Sequence, residues 1–179
     1  MNIEKTFIED LLIITPNVFT DKRGYFLESY NKKKHEALLN IDFVQDNESL
    51  SQKNVLRGLH FQKPPHAQAK LVRVIKGAVL DVVVDIRNNS ETYGKYYKQI
   101  LSEENKTQLY VPKGFAHGFL VLEENTIFSY KCSNYYNKES EGAILWNDST
   151  LDIDWNVDQP IISEKDKVAE NFTSFISPF

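Results

Sequence analysis

The residues of this chain that could do chemistry crowd into a few short stretches. FVQDNESLSQKNVLRGLHFQ (43–62) sets Gln45, Asn47, Ser49, Arg57, His60 and Gln62 among Val55, Leu56, Leu59 and Phe61. A half-buried strand sends its polar residues to one face, yet Arg57 and His60 differ in parity, and a regular strand would point them apart. Gly58 between them is placed to carry a bulge that re-aims one of the two. Lys70 opens the otherwise apolar KLVRVIKG, and His117 lies in GFAHGF, where Ala116 and Gly118 leave room for close approach. Arg23 and Glu28 sit among Phe19, Tyr25, Phe26 and Tyr30 in VFTDKRGYFLESY, which locally reads as a surface hairpin with residues 21–24 at its tip. These residue types permit hydrogen-bonded recognition of a polar ligand, local cations for a small anion, and metal ligation through neutral His60 and His117. Each histidine taken alone also has a structural reading. His35, in a lysine-rich stretch, reads as solvated, and His66, after Pro64-Pro65, as a loop residue.

Several chemistries are disfavoured by what is missing. Small β-barrels that hold a metal often use a His-x-His pair, and Gln62 stands where the second histidine would be. Neither GxGxxG nor GxxxxGK[ST] occurs, and no G-x-S-x-G is present, which argues against dinucleotide, P-loop and α/β-hydrolase sites. The lone Cys132 excludes an internal disulfide and a cysteine-based zinc site. A formal net charge of -4 with no basic block fits neither nucleic acid nor an anionic membrane, though it leaves room for a small anionic ligand. MNIEKTFIED carries acids where a secretion signal needs a long apolar stretch, and no run approaches a membrane span. The expectation is a soluble protein of a reducing, cytoplasmic compartment.

The elements that must position these residues read mainly as strands. Eleven Phe and nine Tyr favour pleated, half-buried surfaces. In VLDVVVDIR (79–87), Leu80, Val82, Val84 and Ile86 face one way, and Asp81, Val83 and Asp85 the other. KLVRVIKG (70–77) reads as its hairpin partner around Lys76-Gly77. QLYVPKG, FAHGFLVL and TIFSYKCS continue the series. NKKKHEALL (31–39) reads as a helix with Ala37, Leu38 and Leu39 as its apolar side, and Ser163 as the N-cap of a turn or two in SEKDKVAENF. Many short strands with turns between them predict an antiparallel sandwich or barrel. The whole of 1–179 reads as a single domain, with 167–179 a tail or short helix whose apolar SFISPF packs on the body or on a partner.

Taken together, FTDKRGYFLESY, FVQDNESLSQKNVLRGLHFQ, AKLVRVIKGAVLDVVVDIR, VPKGFAHGFLVL, YKCSNYYNKESEGAILWND and the late SEKD resemble the dTDP-4-dehydrorhamnose 3,5-epimerase family. They occur in the family's order and cover most of residues 11–166; LRGLHFQ, GFAHGF and EGAILWND are jointly specific. The resemblance implies an all-β cupin fold, a double-stranded β-helix or jelly roll with a few short peripheral helices, assembled as a homodimer. It implies no metal and no cofactor. The substrate class is a dTDP-sugar: dTDP-4-dehydro-6-deoxy-D-glucose, epimerised at C3 and C5 to dTDP-4-dehydro-L-rhamnose for dTDP-L-rhamnose biosynthesis.

On the same resemblance, His60 is the general base, Asp166 the carboxylate that orients it, Lys70 the cation beside the developing enolate, and Tyr130 the acid on the opposite face. Arg23, Glu28, Gln45, Asp46, Asn47, Arg57, His117, Glu141 and Lys165 match positions that hold the nucleotide sugar, with Phe19 and Phe26 suited to a thymine face. The segment with Phe19, Arg23 and Glu28 is implied to reach the partner subunit's site. The alternatives are a dTDP-sugar mono-epimerase or 3,4-ketoisomerase, a nucleotide-sugar-binding cupin without turnover, and a metal-dependent cupin oxygenase.

Overall fold

The computed structural model describes residues 1–179. Strands β1 (Asn2–Lys5), β2 (Leu12–Thr15), β3 (Val18–Asp21) and β4 (Gly24–Leu27) come first, followed by helix α1 (Lys32–Leu39). Next come β5 (Gln45–Ser51), β6 (Val55–Gln62), β7 (Lys70–Lys76), β8 (Ala78–Asp85) and β9 (Tyr96–Ser102). After β10 (Gln108–Val111), β11 (Phe115–Val121), β12 (Thr126–Cys132) and β13 (Glu141–Ala143), the chain adds β14 (Ile161–Ile162) and the single turn α2 (Glu164–Lys167). One sheet runs β1-β2-β10-β7-β12-β5, and a second runs β13-β6-β11-β8-β9 with β14 alongside β6. The pairings are antiparallel except for β14 with β6. This is the expected jelly roll.

The alternation read in VLDVVVDIR holds, and both of its faces are buried. Val79 and Val83 join Val72, Val74, Leu109, Val111, Phe115, Phe119 and Phe128 in the core between the sheets. Val82, Val84 and Ile86 face outward, under Ile144, Leu151 and Trp155 of the C-terminal segment. The tail packs on the body of this chain: Phe175 and Phe179 lie 5.4 and 6.3 Å from the Phe61 ring. On the other side, Leu39 and Phe43 cover Ile14, Leu71 and Tyr110. Ser163 caps α2 as expected, accepting from the Asp166 amide.

Two local expectations are overturned. The strands β7 and β8 do not form a hairpin. They lie in different sheets, β7 between β10 and β12 and β8 between β11 and β9. Gly77, at φ 77, turns the chain across the sandwich, and a Cβ there would lie 2.3 Å from Thr126 Oγ1. A short glycine-bearing connection looks the same in sequence whether it joins neighbours or crosses between sheets. His35 is not solvated either: it is 3% exposed, and its ring lies 4.9 Å from Tyr30. Helix α1 therefore turns His35 and Leu39, one turn apart, toward the body and leaves Ala37 and Leu38 exposed.

Candidate functional site

Interior-facing positions change character across the sandwich. Between β7, β10 and β8 they are aliphatic, whereas toward β5, β12, β6 and β11 they become Gln45, Asn47, Arg57, His60, His117 and Tyr130. Polar side chains that face an interior need either partners or a ligand. They line two adjoining cavities. One, of about 350 Å³, is bounded by Arg57, His60, Lys70, His117, Tyr130, Lys165 and Asp166 among others. The other, of about 330 Å³, adds Gln45, Asn47, Gln68, Tyr136 and Glu141. His60, Lys70 and Tyr130 border both.

Local backbone geometry explains how His60 and Arg57 share one cavity. Along β6, Leu56, Leu59 and Phe61 pack outward, while Arg57 and His60 both face in. The β6–β11 register pairs His117 with His60 but Phe119 with Arg57, so one extra residue is accommodated on β6. This is the bulge expected at Gly58, which has φ 137; a Cβ there would stand 2.4 Å from Gly118 Cα. Two glycines back to back thus let the strands close while both polar side chains turn inward.

His60 Nε2 lies 2.6 Å from Asp166 Oδ1. The His60 side chain is 31% exposed and that of Asp166 only 4%, so the imidazole opens to the cavity and the carboxylate is sealed behind it. Burial pushes the Asp166 carboxyl up, but the hydrogen bond and charge of His60, with the Gly58 amide and Ser163, outweigh it and hold the group below its ordinary value. Burial pushes the Tyr130 hydroxyl up, which keeps its proton on at neutral pH. Burial also pushes the Lys70 ammonium down, opposed by Cys132, Asp81 and Glu141. Lys70 Nζ lies 5.8 Å from the centre of the Tyr130 ring, and Lys70 makes no ion pair. No group of three His, Cys, Asp or Glu side chains is arranged to hold a metal ion.

The family model described as dTDP-4-dehydrorhamnose 3,5-epimerase matches residues 5–174. The chain belongs to this family. The Escherichia coli dTDP-4-dehydrorhamnose 3,5-epimerase is 54% identical over 170 residues, covering 93% of this chain and 92% of that one. A crystal structure of the Elizabethkingia anophelis epimerase superposes with a TM-score of 0.92 at 58% identity, over 97% of both chains. The Legionella pneumophila dTDP-6-deoxy-D-glucose-3,5-epimerase, solved in complex with dTDP-4-keto-L-rhamnose, gives a TM-score of 0.94 at 49% identity, over 98% of this chain and 94% of that one.

The expected epimerase residues fall into three groups. His60, Lys70, Tyr130, Asp166, Gln45, Asn47, Arg57, His117, Glu141 and Lys165 all border the cavities. Gln45 donates to Asn47 Oδ1 at 3.1 Å, Arg57 to Ser51 Oγ at 3.1 and 3.2 Å, and Glu141 is paired with Lys165. Asp46 is not among them: between Gln45 and Asn47 it points to the opposite face of β5 and pairs with Lys131 at 2.9 Å. Phe19, Arg23, Phe26 and Glu28 also lie away from the cavities. Phe19 and Phe26 sit on the β3–β4 hairpin, 62% and 68% exposed, and Arg23 at its tip pairs with Asp21. Glu28, just after β4, pairs with Lys34 at 2.6 Å.

Reading the sequence missed Asp81. It is fully buried, and His117 Nε2 lies 2.9 Å from both of its carboxylate oxygens. The signal in the sequence was an aspartate inside a run of valines, on the same strand face as core residues Val79 and Val83. Cys132, which receives the Asn47 amide at 3.6 Å and pairs across the strands with Lys70, was likewise not singled out for the site.

Proposed function

We propose that this chain converts dTDP-4-dehydro-6-deoxy-D-glucose to dTDP-4-dehydro-L-rhamnose by inverting C3 and C5. Both carbons flank the C4 ketone, so a proton removed from either leaves its charge spread onto the ketone oxygen. Inversion needs a base on one ring face and an acid on the other. The observation that carries the reading is that His60 rises from β6 in one sheet and Tyr130 from β12 in the facing sheet, both bordering the same cavities. His60, steadied by Asp166, takes the proton; Tyr130 returns one from the far side. Lys70 stabilises the enolate oxygen, an interaction stronger in the transition state than in the ground state. Arg57, Lys165, Gln45, Asn47, His117 and Glu141 hold the nucleotide sugar.

The functional unit is a homodimer in which the exposed Phe19, Phe26, Arg23 and Glu28 complete the partner's cavity. Apolar aromatic rings 62% and 68% exposed beside an arginine suit a nucleobase and a phosphate better than open solvent. The cytoplasm is the proposed setting, in keeping with a buried, unpaired Cys132.

The test is incubation with dTDP-4-dehydro-6-deoxy-D-glucose in deuterated water, followed by proton NMR. Deuterium at both C3 and C5 is expected. Exchange at one carbon alone would replace the reading with a mono-epimerase, and binding of dTDP without exchange would leave a binding module. For the dimer, mixing His60→Ala with Arg23→Ala protein should restore activity that neither variant has, because one hybrid site is then intact. No recovery on mixing would refute a shared site.

A further inference from the structure

Double epimerisation has a proton-balance problem that the cavity's fourth ionisable wall can resolve. After the first inversion His60 holds the proton it removed and Tyr130 has lost the one it gave. The second inversion needs both restored while the sugar stays bound.

His117 is placed to take part. It pairs directly with His60 across β6 and β11, and both side chains border one cavity. Directly opposed residues on one sheet face bring their Cβ atoms to about 5 Å, so the two imidazoles are neighbours. In both, Nε2 is turned to a carboxylate, Asp166 for His60 and Asp81 for His117. His117 Nδ1 makes no hydrogen bond within the chain and is not among the buried unpartnered atoms, so it is open to the cavity. Asp81 is wholly enclosed; burial holds its carboxyl above the ordinary value, and His117 and then Lys70 offset only part of that rise. A buried carboxylate whose side-chain partner is one imidazole is a counter-charge for the protonated ring. On the far side, Lys70 lies beside Tyr130 and has no ion-pair partner.

The geometry points to His117–Asp81 as a proton relay that resets the acid and base between the two inversions, with Lys70 as its last member. The proton on His60 Nδ1 passes to His117 Nδ1, and Asp81 stabilises the resulting imidazolium. Lys70 gives a proton to the Tyr130 phenolate and recovers one from His117. One proton has moved from His60 to Tyr130, every relay member ends as it began, and no external reagent is consumed. This rests on the epimerase reading above.

Asp81→Asn tests it, with His117→Asn as the second variant should the buried amide at 81 prevent folding. The full-length protein is given dTDP-4-dehydro-6-deoxy-D-glucose in deuterated water, and singly and doubly inverted products are counted by NMR across imidazole buffer concentrations at fixed pH. Expected is a second inversion slowed on the order of 100-fold relative to the first, the effect typical of removing a proton-transfer partner. Singly inverted sugar should be released, and added buffer should restore the second step by carrying protons from solvent. A role for Asp81 in packing alone would slow both inversions together and give no buffer rescue; that result overturns the relay. Failure of the wild type to exchange at both carbons would instead remove the epimerase reading itself.

Discussion

Replacing Asp166 with Asn keeps the shape of the residue behind His60 and removes only its charge. In the wild type, His60 is held at 2.6 Å by a carboxylate whose side chain is 4% exposed. A charge-assisted hydrogen bond is worth about 1.5–3 kcal/mol against about 1 for a neutral one; the middle of that range exceeds the neutral bond by about 1 kcal/mol, the support for the protonated imidazole that substitution by the amide is expected to remove. Two unit charges about 4 Å apart at an effective dielectric of 20 interact by about 4 kcal/mol, which sets the upper end. At 1.36 kcal/mol per tenfold, kcat should fall between about 5-fold and about 1000-fold. Asp166 sits behind the base, so KM should change little. The assay is the initial rate of deuterium entry at C3 and C5 over a range of substrate concentrations, beside a thermal melt. A kcat within about 2-fold of wild type, or an effect carried wholly by KM, would refute a role for this carboxylate in supporting the base.

Tyr130→Phe should retain hydrogen exchange at the carbon facing His60 but lose inversion, read as deuterium incorporated without change of configuration; normal inversion would exclude Tyr130 as the acid. Gly58→Ala should cost roughly 2–4 kcal/mol and most activity, because φ 137 and a Cβ 2.4 Å from Gly118 Cα cannot both be kept; an unchanged melt and kcat would contradict the back-to-back glycine account. Asp85 accepts from Arg87, Ser90 and Thr92, at 2.8, 2.6 and 2.7 Å on Oδ2. Burial raises its carboxyl, but these partners outweigh burial and hold it below the ordinary value. Its contribution is therefore complete above the unfolded carboxylate pKa of about 3.9 and disappears as pH falls through the lower folded value. Asp85→Asn should cost about 3 kcal/mol at neutral pH and progressively less in acid, measured by urea unfolding; a cost that grows on acidification would reverse the sign of this linkage.

The sheet content and inward alternation were legible because they are local. Val79, Asp81 and Val83 repeat every second residue whatever their strand pairs with. Strand pairing was not legible. The crossing at Gly77 and a hairpin at Gly77 have the same sequence, and only the competing partners β10, β12, β11 and β9 decide between them. His35 was misjudged because its lysine neighbours describe the outer face of α1, while Tyr30, which shields its ring, precedes the helix. Within the site, Gly58 announced its bulge through the parity of Arg57 and His60. Asp166 could not announce itself, since 106 residues separate it from His60 and nothing in SEKD speaks of a histidine. That link came through family resemblance alone. Asp81 was visible as a residue but not as a partner, because its pairing with His117 depends on β8 and β11 being neighbours.

The dyad joins a base from β6 to a carboxylate carried on α2, which enters beside β6 through the two-residue strand β14. During synthesis, every strand of both sheets, β14 included, emerges from the ribosome before Asp166 does. A nascent chain can thus close its sandwich and form the strand-borne walls of the cavity while His60 still lacks its carboxylate. The base gains its orienting carboxylate only when the segment carrying Asp166 docks beside β6, a separate event from condensation of the core between the sheets.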